Sequence, residues 1–149
     1  MNKKQRIYCA FTGTGKTYFC QHHAGWADID EETAVKIHAN PELVAFTISN
    51  YVKYGYKIVT NATPYVLSGL ANHLEEFELV IILPVPEMKE ELLQRILNRG
   101  DTEWYPYLKS IYDNFYENTV NFDIPGQRVW IHPGQYLEEI IEQLEKENL

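Results

Sequence analysis

The chain is short of arginine, short of cysteine and without any long apolar run, and each shortage narrows what it can be. Its 149 residues include four arginines, Arg6, Arg95, Arg99 and Arg128, and acidic side chains outnumber basic ones 21 to 13 for a net charge of −8. That balance argues against a broad electrostatic surface for nucleic acid or an anionic membrane. A local basic pocket is still open, because a whole-chain sum hides distribution. The two cysteines, Cys9 and Cys20, carry no metal-type spacing and read as buried free thiols of a reducing compartment. The start, MNKKQRIYCAF, is basic without a sustained apolar stretch, which argues against a signal peptide. No run approaches the ~18 apolar residues of a membrane span. The expectation is a soluble cytoplasmic protein without membrane contact, built as one domain over residues 1–149.

What is there begins at RIYCAFTGTGKTYFC, Arg6 to Cys20. An apolar run, Ile7 to Phe11, reads as a buried strand feeding a glycine-threonine turn, and the residues after the turn can start a helix. Strand, turn and helix in that order build a phosphate cradle of inward-pointing amides closed by a helix N-terminus. The spacing matches the Walker A pattern G-x-x-x-x-G-K-[ST] except at its first position, where Ala10 stands for glycine. Gly13, Thr14, Gly15, Lys16 and Thr17 are the expected nucleotide-binding residues, with Lys16 reaching the terminal phosphates and the Thr17 hydroxyl offered to Mg²⁺. The competing reading of TGTGKT is a flexible surface loop; the strand upstream favours the cradle.

The rest of the chain alternates. A short helix over Lys16 to His23 precedes a second strand, Trp26 to Asp30, whose Asp28 and Asp30 share a face. A helical turn is expected over Glu32 to His38. Asn40-Pro41-Glu42 then reads as a helix start, with Leu43, Val44, Phe46, Ile48 and Tyr51 as the apolar face up to Tyr54. Tyr56 to Asn61 is a third strand, and Thr63-Pro64 opens a helix lasting to about Glu75. The unbroken run Leu79 to Pro84 suits a strand covered on both faces. Helices are expected from Pro86 to Arg99 and from Asp101 to about Asn121, then a fifth strand, Arg128 to Ile131, and a closing helix, Tyr136 to Lys146. This pattern predicts a three-layer α/β/α arrangement around a five-stranded, mainly parallel sheet.

Two further pairs bear on chemistry. Asp28 and Asp30 are the acids near the loop, since the apolar strands end in Leu83-Pro84 and Thr60-Asn61 without a carboxylate. Arg95 and Arg99 lie four residues apart, so one helix face can aim both guanidinium groups at one anion. Plainer readings stand beside these. The aspartates can cap the following segment with Glu31 and Glu32. The arginines can pair with Glu91 and Asp101. Tyr105, Tyr107, Tyr112 and Tyr116 suit packing better than base stacking. His22 and His23 diverge on a helix, and no acid or cysteine spacing completes a zinc site around them.

The order of phosphate loop, D-x-D, arginines on the helix after strand four, last strand and helix resembles the small P-loop kinases. It is similar to the shikimate, gluconate and polynucleotide-kinase type, and particularly to short nucleotide-kinase-like proteins of bacteriophages. The resemblance covers most of the chain in layout, while only the loop is a specific motif. It implies a P-loop NTPase fold and a phosphotransferase using ATP and Mg²⁺ on a nucleoside- or nucleotide-type acceptor. Lys16 with Mg²⁺ would neutralise charge between the β- and γ-phosphates, and Arg95 and Arg99 would screen the travelling phosphoryl group. Asp28 would accept the proton of a hydroxyl acceptor or fix a sugar hydroxyl, with Asp30 holding substrate or a metal-bound water; for an acceptor that is already an anion the pair would bind rather than deprotonate. Arginine scarcity weakens the monophosphate version, and the acidic charge disfavours a nucleic-acid 5′-end. The alternatives are a nucleotide-binding or partner-binding protein that has lost turnover, left open by Ala10 and the missing strand-end acid, and a nucleic-acid-dependent ATPase.

Overall fold

The computed structural model describes residues 4–30, 40–100 and 103–147. The helical turn expected over Glu32 to His38 and the residues Asp101 and Thr102 lie outside them. Five strands form one sheet: β1 (Gln5–Ala10), β2 (Trp26–Ile29), β3 (Lys57–Asn61), β4 (Phe77–Pro84) and β5 (Gln127–Ile131). Their order is β2-β3-β1-β4-β5, and every pairing is parallel. An all-parallel sheet in this order is consistent with a P-loop-like Rossmannoid topology.

The helices are α1 (Lys16–Gln21), α2 (Pro41–Lys53), α3 (Pro64–Leu70), α4 (Lys89–Asn98), α5 (Trp104–Val120) and α6 (Leu137–Glu147). Alternation along the central strands divides the apolar residues between two cores. Ile7, Cys9, Ile58, Leu79, Ile81 and Leu83 face α2, α3, α4 and α5. Tyr8, Ala10, Val59, Val80 and Ile82 face α1 and α6, where they meet Phe19, Leu137, Ile140, Ile141 and Leu144. The unbroken run in β4 is thus two interleaved sets, one for each layer. Among the described residues no helix is long and apolar enough to cross a membrane.

Several boundaries differ from expectation for local reasons. Asn40 occupies the N-cap of α2 without a side-chain capping bond, so Pro41 and Glu42 carry the start. That helix buries Val44 and Ile48 of the expected face together with Ala45, while Phe46 is 61% exposed and Tyr51 39% exposed; the stripe that faces the sheet is narrower than the expected one. Thr63 caps α3, its hydroxyl accepting from the Val66 amide at 3.2 Å. That helix ends at Leu70, not near Glu75. A 3₁₀ turn, Ala71–His73, tightens the chain, and the Glu76 amide closes onto the His73 carbonyl at 3.0 Å to enter β4. A Cβ on Gly69 would stand 2.2 Å from the Pro41 carbonyl oxygen, so the α2–α3 approach requires glycine there. A 3₁₀ turn, Pro86–Met88, precedes α4.

Candidate functional site

The loop between β1 and α1 curls over the carboxyl end of the sheet. Gly13 and Gly15 adopt φ of 81° and 107°, a region that favours glycine. The Thr14 hydroxyl donates to the Phe11 carbonyl at 2.7 Å, and the Thr14 carbonyl accepts from the Leu137 amide at 2.9 Å. No side chain caps the first turn of α1, which leaves the amides of that turn without a side-chain partner. Ala10 belongs to β1 itself, in register with Asn61 and Ile82, and its carbonyl accepts from Ala62 at 2.9 Å. Extended strand backbone tolerates a Cβ, so alanine at this position leaves the turn intact.

Lys16 and Thr17, the first two residues of α1, both meet Asp28 of β2. Lys16 Nζ donates to Asp28 Oδ1 at 3.3 Å, and Thr17 Oγ1 donates to Oδ2 at 3.3 Å. One carboxylate thereby spans the cation and the hydroxyl of the loop. The Asp28 side chain is 20% exposed and that of Lys16 15%, so the pair is shielded enough to matter yet open at one side. Hydroxyl and carboxylate together make a hard oxygen donor set of the kind Mg²⁺ prefers, so Thr17 and Asp28 fit that ion. Asp30, just past β2, lines the cleft that the loop encloses.

That cleft has a volume of about 710 Å³, and Arg95, Asn98, Arg99 and Tyr136 form its far side. Both arginines therefore reach it, but the expected convergence on one anion does not hold for Arg95. Its guanidinium pairs with Glu91 and donates to the Gln135 carbonyl at 2.7 Å and the Gly13 carbonyl at 3.4 Å. It also stacks on Tyr136, 3.9 Å from the ring centroid. Glu91 in turn accepts from the Gly134 amide at 3.0 Å. Arg95 is thus a clamp joining α4, the β1–α1 loop and the β5–α6 turn, and one plain reading, pairing with Glu91, is what the fold adopts. The other half of that reading, Arg99 with Asp101, lies outside the described residues, as do Glu31 and Glu32 of the capping alternative.

The sequence pattern missed Gln135 and Tyr136, which follow β5 and cross to the loop. A His-Pro-Gly turn announces a change of direction but not where the next side chain lands. Tyr112 and Tyr116 do pack, around Phe11, and the Tyr116 hydroxyl donates to Pro84 at 2.7 Å. Both cysteines are free. Burial pushes the Cys9 thiol up to about 12, and burial, with Asp28 nearby, raises Cys20 to about 11.

No protein-family model matches the chain, and no curated protein matches it. Among solved structures it is similar to an uncharacterized protein from Eubacterium ventriosum ATCC 27560, at 10% sequence identity and a TM-score of 0.52, over 97% of this chain and 98% of that one. At that identity the likeness extends to the fold alone.

Proposed function

We propose that the protein has a P-loop NTPase fold and is an ATP-dependent phosphotransferase acting on a nucleoside- or nucleotide-type small molecule. The observation that carries this reading is the Asp28 carboxylate spanning Lys16 Nζ and Thr17 Oγ1 at the edge of a cleft of about 710 Å³. A loop lysine, a hydroxyl and an acid brought together beside an uncapped helix start supply the parts that phosphoryl transfer needs, which are positioning and charge neutralisation.

In this reading the amides of Gly13 to Thr17 and the Lys16 ammonium bind the donor's phosphates, and Thr17 and Asp28 hold Mg²⁺. The ion, when bound, neutralises charge on the β- and γ-phosphates. Asp30 faces the acceptor: it orients a hydroxyl and takes its proton as the acceptor oxygen bonds to the γ-phosphorus and the bridging oxygen leaves with ADP. An acceptor that is already an anion needs no base, and Asp30 then binds rather than deprotonates. Tyr136, backed by Arg95, offers a flat wall suited to a base. Arg99 supplies the positive charge at the open side.

Transfer from labelled ATP to a panel of nucleosides, nucleoside monophosphates and 5′-hydroxyl oligonucleotides tests the proposal. The expected result is transfer to at least one nucleoside or nucleotide, reduced about 10²- to 10³-fold in Lys16→Ala. Arg95 favours a second reading, a nucleotide-binding protein without turnover, because its guanidinium is already engaged by protein acceptors. Tight ATP binding with no transfer to any acceptor would establish that reading instead.

A further inference from the structure

On the sheet face covered by α1 and α6, away from the cleft, three ligand-type side chains converge. His23 follows α1, and Glu138 and Glu142 lie one turn apart on α6. One ligand atom from each lies within 4.8 Å of the others. His23 Nε2 stands 3.4 Å from Glu142 Oε1 and 3.9 Å from Glu138 Oε1. Ligands around a tetrahedral ion with bonds of about 2.1 Å are separated by roughly 3.4 Å, so the trio already approximates one face of such a site.

The imidazole is oriented from behind. Its Nδ1 lies 2.9 Å from the Phe19 carbonyl, and since a carbonyl only accepts, Nδ1 carries the proton. The ring also stacks on Phe19 at 4.2 Å between centroids. Nδ1–H bonded to a backbone carbonyl, with Nε2 turned outward, is the arrangement that orients metal-ligating histidines. With Nδ1 bonded to the carbonyl, Nε2 is the ring atom turned to the two carboxylates, so the three side chains present one donor atom each to a common point. Helix polarity accounts for Glu138, in the first turn of α6, but not for Glu142 one turn later.

We propose that His23, Glu138 and Glu142 bind one divalent transition-metal ion of the zinc class, with solvent completing its coordination. One imidazole with two carboxylates suits Zn²⁺ and its neighbours Co²⁺ and Ni²⁺ better than Mg²⁺, which prefers an octahedron of oxygens. The ion ties the helix that follows the phosphate-type loop to α6 and braces the fold, and this holds whether or not the cleft transfers phosphate. Sequence spacing conceals the site because Glu142 is 119 residues beyond His23.

The test titrates ZnCl₂ into chelator-stripped full-length protein by calorimetry and follows the thermal midpoint. One ion should bind and raise the midpoint, and both Glu138→Gln/Glu142→Gln and His23→Gln should weaken binding by about 100-fold or more, at or above the range typical of outer-sphere partners. Cys20→Ser should bind as the parent does. Glu142→Gln alone, at a side chain 52% exposed, keeps the test valid if the double variant does not fold, and should weaken binding in the same direction. Absence of one-to-one binding to the parent overturns the proposal: the trio is then an ion-pair and hydrogen-bond contact between α1 and α6 only. Undiminished binding in the glutamine variants, or loss in Cys20→Ser, overturns it equally.

Discussion

Asp28 is the residue on which the two readings of the D-x-D stretch divide. As a helix cap it would serve the backbone after β2, but its two oxygens are taken up by Lys16 and Thr17 at 3.3 Å each. A carboxylate in that position has its effect on the loop, by fixing the ammonium and hydroxyl relative to each other. Asp28→Asn keeps the shape and removes the charge. Partly exposed ion pairs contribute little to stability, so unfolding in urea should shift by no more than about 1 kcal/mol. On the proposed phosphotransferase reading, turnover should fall about 10²-fold with ATP and Mg²⁺, because charge stabilisation at a phosphoryl group would be lost where it is needed. A variant that unfolds early yet retains its rate would mark Asp28 as structural.

At the scale of elements, the start of α2 is tied to the turn after α3 by one imidazole. His73 Nε2 meets Glu42 at 2.8 Å and Nδ1 meets Glu76 at 3.1 Å, while Asn72 donates to the other Glu42 oxygen at 2.7 Å. With an acceptor at each nitrogen, the protonated ring is the form favoured, and the Glu42 hydrogen bond, with Glu76 behind it, holds His73 above its usual 6.5. His73 in turn holds Glu42 below the usual carboxylate value. The raised histidine contributes stability that is fully present below about pH 6.5, its unfolded value, and is lost as pH rises through the higher folded value. The lowered carboxylate contributes above its unfolded value and is lost in acid. Urea midpoints measured from pH 5 to 9 should therefore decline across the upper part of that range, and His73→Gln should flatten the decline; parallel profiles would exclude the strap. Neither partner was legible in the sequence, because the contact joins elements about thirty residues apart through exposed side chains that leave no periodic trace. The strands were legible for the opposite reason: Leu79 to Leu83 and Ile7 to Ala10 are apolar at every position, as burial on two faces demands. Helix α2 shows where periodicity stops helping, since Phe46 and Ile48 are equally apolar and only the sheet beneath decides which is buried.

For the whole molecule, the sheet order β2-β3-β1-β4-β5 puts β1 in the centre and brings three distant stretches to its carboxyl end. The glycine-threonine loop and the two arginines of the opposing wall were readable from their own spacing; Tyr136, and the engagement of Arg95 by Gln135 and Gly13, were not, since they depend on where the β5–α6 turn lands. These parts are joined by bonds across the cleft, Leu137 to the Thr14 carbonyl at 2.9 Å and Arg95 to the Gln135 carbonyl at 2.7 Å. A ligand that needs all three stretches binds only the folded chain and must stabilise it by mass action. At a concentration 100 times its dissociation constant, ATP with Mg²⁺ should contribute about 2.7 kcal/mol. For a chain of this size, each kcal/mol raises the thermal midpoint by about 2–4 °C, giving an upward shift of roughly 5–10 °C. Lys16→Ala should abolish most of that shift while leaving the ligand-free midpoint nearly unchanged, since its ion pair is a small part of the total. His73→Gln, on the far side of the sheet's core from α1, should shift with ATP as fully as the parent does. If saturating ATP and Mg²⁺ leave the parent's midpoint where it was, the cleft is not a nucleotide site, and neither the phosphotransferase nor the silent nucleotide-binding reading survives.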